Sequence, residues 1–180
     1  MKKLLSIVAL LLLLTLSSRA HAAEYVLSGS GVFSCNDISH AQPGFPVESF
    51  SLSGADTLIG SDTGSSSGKL SLSNFTVHRN FDGCSEALMR AFLGRMRTPT
   101  LVFKAFRSVD GKPSVFLTIK LFNVYVSNYQ LQGVSDGSNP TEAVSFHFDS
   151  VQIESININR DGTPGPSVTV TYDLGTNTVS

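Results

Sequence analysis

The chain has 180 residues, 41% of them hydrophobic, with 13 basic against 14 acidic side chains. That length suits one domain able to bury a proper core. No stretch is strongly basic, so nothing supports nucleic-acid binding electrostatically.

The chain opens on a targeting pattern. Lys2 and Lys3 precede an apolar run, Leu4 to Leu16, broken only by Ser6 and Thr15, and Ala20-His21-Ala22 supplies an A-x-A site. Together these predict a secretory signal peptide over residues 1–22, cut after Ala22. An uncleaved anchor is the alternative, but the run is short of the ~20 residues a spanning helix needs. No other segment is long and apolar enough to span, so no stable membrane insertion is expected after cleavage. The mature chain is then a single domain, 23–180. Loss of Lys2, Lys3 and Arg19 leaves 10 basic against 14 acidic residues, a net charge of −4. The expected location is periplasmic or extracellular.

Cys35 and Cys84 are the two cysteines. In an oxidising compartment a disulfide between them is the natural reading. It closes a loop of about 50 residues, worth up to ~4 kcal/mol in the chain-entropy model. Two unpaired thiols, or bridges to other chains, are the alternatives. The mature histidines, His40, His78 and His147, are scattered and no C-x-x-C occurs, so no metal site and no cofactor are expected.

Most segments after the cleavage site carry strand signals. Tyr25–Phe33 is rich in apolar residues punctuated by Gly and Ser, and a turn-rich stretch, 36–46, follows. Val47–Ser53 sets Phe50 and Leu52 on one face, and residues 54–68 read as a Gly/Ser/Asp/Thr loop. In Lys69–Arg79, Leu70 and Leu72 have one parity and Phe75 and Val77 the other, which a bulge or bend near Asn74 reconciles.

A single helix is predicted after Asp82. Ala87, Leu88, Ala91 and Phe92 recur at helical spacing, Glu86 lies in the first turn, and Gly94 serves as the C′ stop. Thr100–Arg107 and Val115–Val126 then read as strands joined by an Asp110-Gly111 turn. Val115, Leu117, Ile119 and Leu121 form an apolar face. Residues 133–140 are a polar loop, and Glu142–Ile158 is a long strand region whose apolar parity switches from Val144, Phe146 and Phe148 to Val151 and Ile153. Strands that change face suit a curled barrel. Asp161–Pro166 is a turn, and Val168–Tyr172 a last strand.

Three strings imitate catalytic motifs. Gly64-Ser65-Ser66-Ser67-Gly68 matches G-x-S-x-G but lacks the strand-to-helix elbow that exposes a nucleophile. Asp62-Thr63-Gly64-Ser65 resembles an aspartic-protease turn but has no second loop to supply the partner carboxylate. Ser145, His147 and Asp149 share one strand face, yet at about 7 Å spacing they lie beyond hydrogen-bond reach. No catalytic residue is assigned.

Four blocks, in order, resemble one family. They are Lys69–Val77, the helix block Ser85–Gly94, Asn123-Val124-Tyr125-Val126-Ser127-Asn128-Tyr129-Gln130, and Pro140–Phe148 with its Thr141-Glu142. The third is similar to a D-V-x-V-x-S-Y-Q pattern and the fourth to T-E-x-V-S-L-N-F. They resemble the Hcp family, the haemolysin-coregulated tube proteins of bacterial type VI secretion. The resemblance implies a mainly β fold, a small curled β-barrel of two antiparallel sheets with a single packed helix. It also implies a non-enzymatic, ring-forming structural protein that assembles with itself into hexamers and stacks them. Secretion-apparatus components or exported cargo are further partners. The loops at 36–46 and 133–140 are candidate contact elements.

Three features depart from the family pattern: the signal peptide, the cysteine pair, and a C-terminal extension from about residue 161. They support an alternative, an exported periplasmic or extracellular binding module that keeps the barrel without forming a tube.

Overall fold

A computed structural model describes residues 23–35, 43–57, 69–109 and 111–180. The expected signal peptide and both mimic motifs of the Gly/Ser loop, with Asp62 and Ser66, lie outside these residues, as do His40 and Asp110. The described strands are β1 (Glu24–Gly29), β2 (Phe45–Val47), β3 (Ser49–Ser51), β4 (Gly54–Thr57), β5 (Lys69–Leu72), β6 (Phe75–Asn80), β7 (Arg97–Val109), β8 (Lys112–Gln132), β9 (Thr141–His147), β10 (Ser150–Ile158), β11 (Pro164–Asp173) and β12 (Thr178–Val179). One α-helix, α1 (Ser85–Leu93), and a 3-10 turn, Gly31–Phe33, complete them.

β8 organises the sheet. It is 21 residues long, and its two halves have different partners. On one edge it pairs with β7. On the other, Leu117 to Phe122 pair with β10 and Tyr125 to Gln132 with β9. Between these blocks Asn123 takes φ 53, the left-handed region that Asn tolerates better than most residues. Its Nδ2 donates to Asp149 Oδ2 at 3.0 Å, tying the bend to the corner between β9 and β10. The bend switches the buried parity along β8: Ile119 and Leu121 are buried before it, Val124 and Val126 after it.

The result is one ten-stranded sheet in the order β12-β11-β10-β8-β7-β1-β2, with β9, β6 and β3 branching from β8. The expectation of two sheets is met differently: the second is only the β4–β5 pair. The barrel is not closed by a ladder. β2 pairs with β1 and β3 with β6; Glu48 links β2 to β3 along the chain, its N–H donating to the His78 carbonyl at 2.8 Å. Chain continuity thus curls the sheet round on itself.

Local readings hold in most places and shift in others. The break between β5 and β6 falls at Ser73–Asn74, as the parity change predicts. Val32 and Phe33 leave the first strand because Gly31, at φ 63, turns the chain into the 3-10 turn. The predicted loop from residue 54 begins with β4, whose Gly-Ala-Asp-Thr sequence carries no strand pattern and is ordered by pairing with β5. The helix ends on a Schellman arrangement, Met96 N–H to Ala91 O at 2.9 Å and Arg95 N–H to Phe92 O at 3.1 Å. Its left-handed residue is Arg95 (φ 50); Gly94 stays right-handed (φ −81), one position earlier than a C′ glycine.

The core fills the inside of the curl. Phe50 and Phe103 pack at a tilt with centroids 4.4 Å apart, and Phe75 meets Phe103 edge-on at 5.4 Å. Aromatics from β3, β6 and β7 thus meet at the centre, each buried ring worth roughly 1.5–3 kcal/mol. α1 lays Leu88 and Ala91 against this core.

Candidate functional site

The most concentrated polar chemistry lies where α1 begins. β6 points Phe75, Val77 and Arg79 inward on one parity, and all three are buried. β9 does the same with Glu142, Val144 and Phe146. Arg79 pairs with Glu142 across the two strands, Nη1 donating to Oε1, with neither side chain exposed. Arg79 Nη2 reaches Asp82 Oδ2, and Nε donates to the Pro46 carbonyl at 3.0 Å. Ser85 Oγ donates to Glu142 Oε1 at 2.9 Å, and Tyr129 Oη donates to Oε2. The guanidinium also lies 5.6 Å from the centre of the Phe45 ring.

This is a closed network. One cation faces two carboxylates, each guanidinium nitrogen donates to an oxygen, and no buried side-chain polar atom lacks a partner among the described residues. Burial, then the bond to Glu142 and its charge, raises the Tyr129 pKa above its ordinary value of 10.0. The phenol therefore stays neutral as a fixed donor. The hydroxyls of Ser85 and Tyr129 both donate to the Glu142 carboxylate, so the arrangement joins β6, β8, β9 and α1.

Cys35 and Cys84 come together beside it. Cys35 follows the 3-10 turn and Cys84 is the N-cap of α1; their Cα atoms are 5.7 Å apart and their sulfurs are bonded. Asp82 Oδ1 accepts from the Cys84 N–H at 2.8 Å, so the bridge and the Arg79 network share one turn of chain.

Other sequence candidates disperse. Ser145 Oγ lies 2.9 Å from Thr76 Oγ1, Asp149 is held by Asn123, and His147 packs on Tyr125 with ring centroids 5.1 Å apart. The three have separate partners and form no triad. No group of His, Cys, Asp or Glu among the described residues is placed to hold a metal ion. The loop 133–140 is exposed throughout, while residues 36–42 of the other candidate loop lie outside the described set. No described helix is long and apolar enough to cross a membrane.

A second surface feature lies at the other end of α1. Phe92, Leu93 and Arg95 face Arg97, Tyr125, Val126 and Ser127 across a shallow groove. The Arg97 guanidinium lies 4.6 Å from the Tyr125 ring centre. Through the pairs Arg97–Tyr125 and Tyr125–His147, a cation, a phenol and an imidazole make one row across β7, β8 and β9.

The fold and its sealed polar centre define a class: a mainly β scaffold, curled on itself, with one helix clamped to its side. The family model described as type VI secretion system effector, Hcp, matches residues 37–155, more than half of the chain, and the chain belongs to that family. Among solved structures, one titled as a type six secretion system protein is 24% identical, covers 88% of this chain and 100% of its own, and has a TM-score of 0.74. Hcp1 from Salmonella typhimurium is 18% identical over 88% of this chain and 99% of its own, at 0.69. A type VI secretion system effector from Yersinia pestis is 16% identical over 83% and 98%, at 0.62. At these identities the structures establish a shared fold. No curated protein matches the chain.

The Arg79–Glu142 centre was absent from the sequence reading, although a signal for it existed. A charged residue shares the parity of buried apolar residues on each of two strands, which is unusual unless the charges pair.

Proposed function

We propose that the chain is an exported, non-enzymatic structural protein of the Hcp type that assembles with itself into rings. In this reading residues 1–22 are a signal peptide removed on export, residues 23–180 form the domain, and Cys35–Cys84 is an intrachain disulfide made in an oxidising compartment. The observation that carries it is the family match over residues 37–155. The fold agrees, since the buried polar groups are spent on scaffold hydrogen bonds. The six-membered ring, its stacking, and binding of secretion components or cargo belong to this proposal.

The test is to express the full chain, recover the exported product and measure its mass by light scattering after size exclusion. N-terminal sequencing of the same sample reads the cleavage site. A mass near six subunits with Ala23 at the terminus supports the reading. A monomer under all conditions overturns the ring.

A monomer would favour the second reading, an exported binding module that keeps the curled sheet without a tube. The observation on its side is the disulfide, which suits a protein working outside the reducing cytoplasm.

A further inference from the structure

The two ends of α1 carry complementary surfaces. At its C-terminal end Leu93 is 73% exposed. Arg95 and Arg97 stand beside it, both exposed, and neither makes an ion pair with a described residue. Arg95 occupies the left-handed position that a helix end ordinarily gives to glycine, at a local cost of about 1 kcal/mol. Arg97 is held over Tyr125. The groove therefore presents two exposed arginines, one held over Tyr125, and an uncovered apolar side chain on a protein whose net charge is otherwise acidic.

The N-terminal end carries the opposite sign. The Phe81 N–H donates to the Pro140 carbonyl at 2.8 Å, fixing the end of the 133–140 loop just before the helix. That loop exposes Val134 (57%) and, two residues on, Asp136. Asp136 Oδ1 accepts from the Ser138 N–H at 2.9 Å. The Ser138 bonds hold this carboxyl below the usual carboxylate range, so it is charged at neutral pH. An apolar side chain next to a carboxylate at one end of the helix thus matches an apolar side chain next to two guanidiniums at the other.

We infer that the groove of Leu93, Arg95 and Arg97 receives the Val134–Asp136 loop of a second copy of this chain. The inference rests on the self-assembly reading above and names its contact. One copy's loop does not reach its own groove, because β8 runs extended from Ser127 in the groove to Gln132 before the loop begins, roughly 16 Å at the ordinary strand rise. The contact is therefore head-to-tail, which closes a ring where the rotation allows and otherwise extends a filament. The groove does not suit a nucleic acid, since two arginines cannot neutralise a polyanion on a chain of net negative charge.

The test is a charge exchange in the exported full-length protein. One variant carries Asp136→Arg, the other Arg95→Asp with Arg97→Asp. All three positions are exposed, so circular dichroism and melting temperature should match wild type. Each variant alone sets like charges against each other and should lose the assembled mass by light scattering. An equimolar mixture makes every groove–loop contact complementary again and should restore it. If wild type assembles and both variants assemble equally well, the groove–loop contact is wrong while self-assembly stands. If the variants fail singly and the mixture also fails, the two sites do not meet, and the inference is overturned. If wild type never assembles, the self-assembly reading falls and takes this contact with it.

Discussion

Arg79 and Glu142, on adjacent strands and fully buried, form an ion pair that the helix start and β8 complete from either side. Three separate elements supply its four partners: Asp82 and Ser85 at the start of α1, Tyr129 on β8, and the Pro46 carbonyl on β2. A charge pair removed from water is a poor source of net stability but a severe liability when broken. In this arrangement every member is satisfied at once, which ties the three elements to the β6–β9 ladder.

Glu142→Ala should therefore cost about 3–5 kcal/mol, because Arg79 keeps its charge and loses its main partner. Replacing both residues with apolar ones, Arg79→Met with Glu142→Leu, should cost much less. Urea denaturation of the wild type, the single variant and the double variant measures both. Equal losses for single and double would mean that the pair contributes through packing and not through charge.

Tyr129 predicts an alkaline effect. Its pKa is raised in the fold, so the stability it contributes is full below the unfolded value of 10.0 and declines as pH climbs toward the higher folded value. Tyr129→Phe should remove that part of the slope above pH 10. Unfolding free energies measured from pH 8 to pH 11 should converge for wild type and variant at the alkaline end. Parallel curves would rule the effect out.

The disulfide predicts zero titratable thiols before reduction and two after it in the denatured exported protein. The bridge spans a sequence separation of 49. Its loss should cost up to ~4 kcal/mol in the chain-entropy model, on the order of 10 °C in melting temperature for a domain of this size. Cys35→Ser with Cys84→Ser should melt like the reduced wild type. A melting temperature unchanged by reduction would show that the clamp adds nothing to the fold.

Two glycines should respond differently to alanine. Gly44 sits at φ +137, and a Cβ there would stand 2.6 Å from both the Leu27 carbonyl oxygen and Val26 Cγ1. Gly111 sits at φ +78 with open space around it. Gly111→Ala should cost about 1–2 kcal/mol from backbone strain alone. Gly44→Ala should exceed that by at least ~2 kcal/mol, since backbone itself must move. Comparable losses in thermal denaturation would contradict the close approach at Gly44.

Much of the fold was legible because it is written in local periodicity. Alternation marked Phe75 and Val77, Val144 and Phe146, and Ile119 and Leu121, all of which are buried. The parity change after Leu72 marked a real break, and 3.6-residue spacing marked α1. β4 was not legible, because Gly54–Thr57 has no apolar pattern and depends on β5 for its order. The left-handed helix end was misplaced by one residue, since Gly94 is the obvious candidate and the position went to Arg95.

By itself the sequence determined the longer strands, the helix and their apolar faces, since those follow from backbone periods of 2 and 3.6 residues. It also carried the family blocks. The tertiary structure alone decided partners. That β8 divides its length between β10 and β9 depends on a bend at Asn123. That Arg79 meets Glu142 depends on the register between β6 and β9. Ladder pairing between segments some 60 residues apart is set by how the whole sheet curls, which no local window contains. The groove at one end of α1 and the loop at the other are products of the same curl.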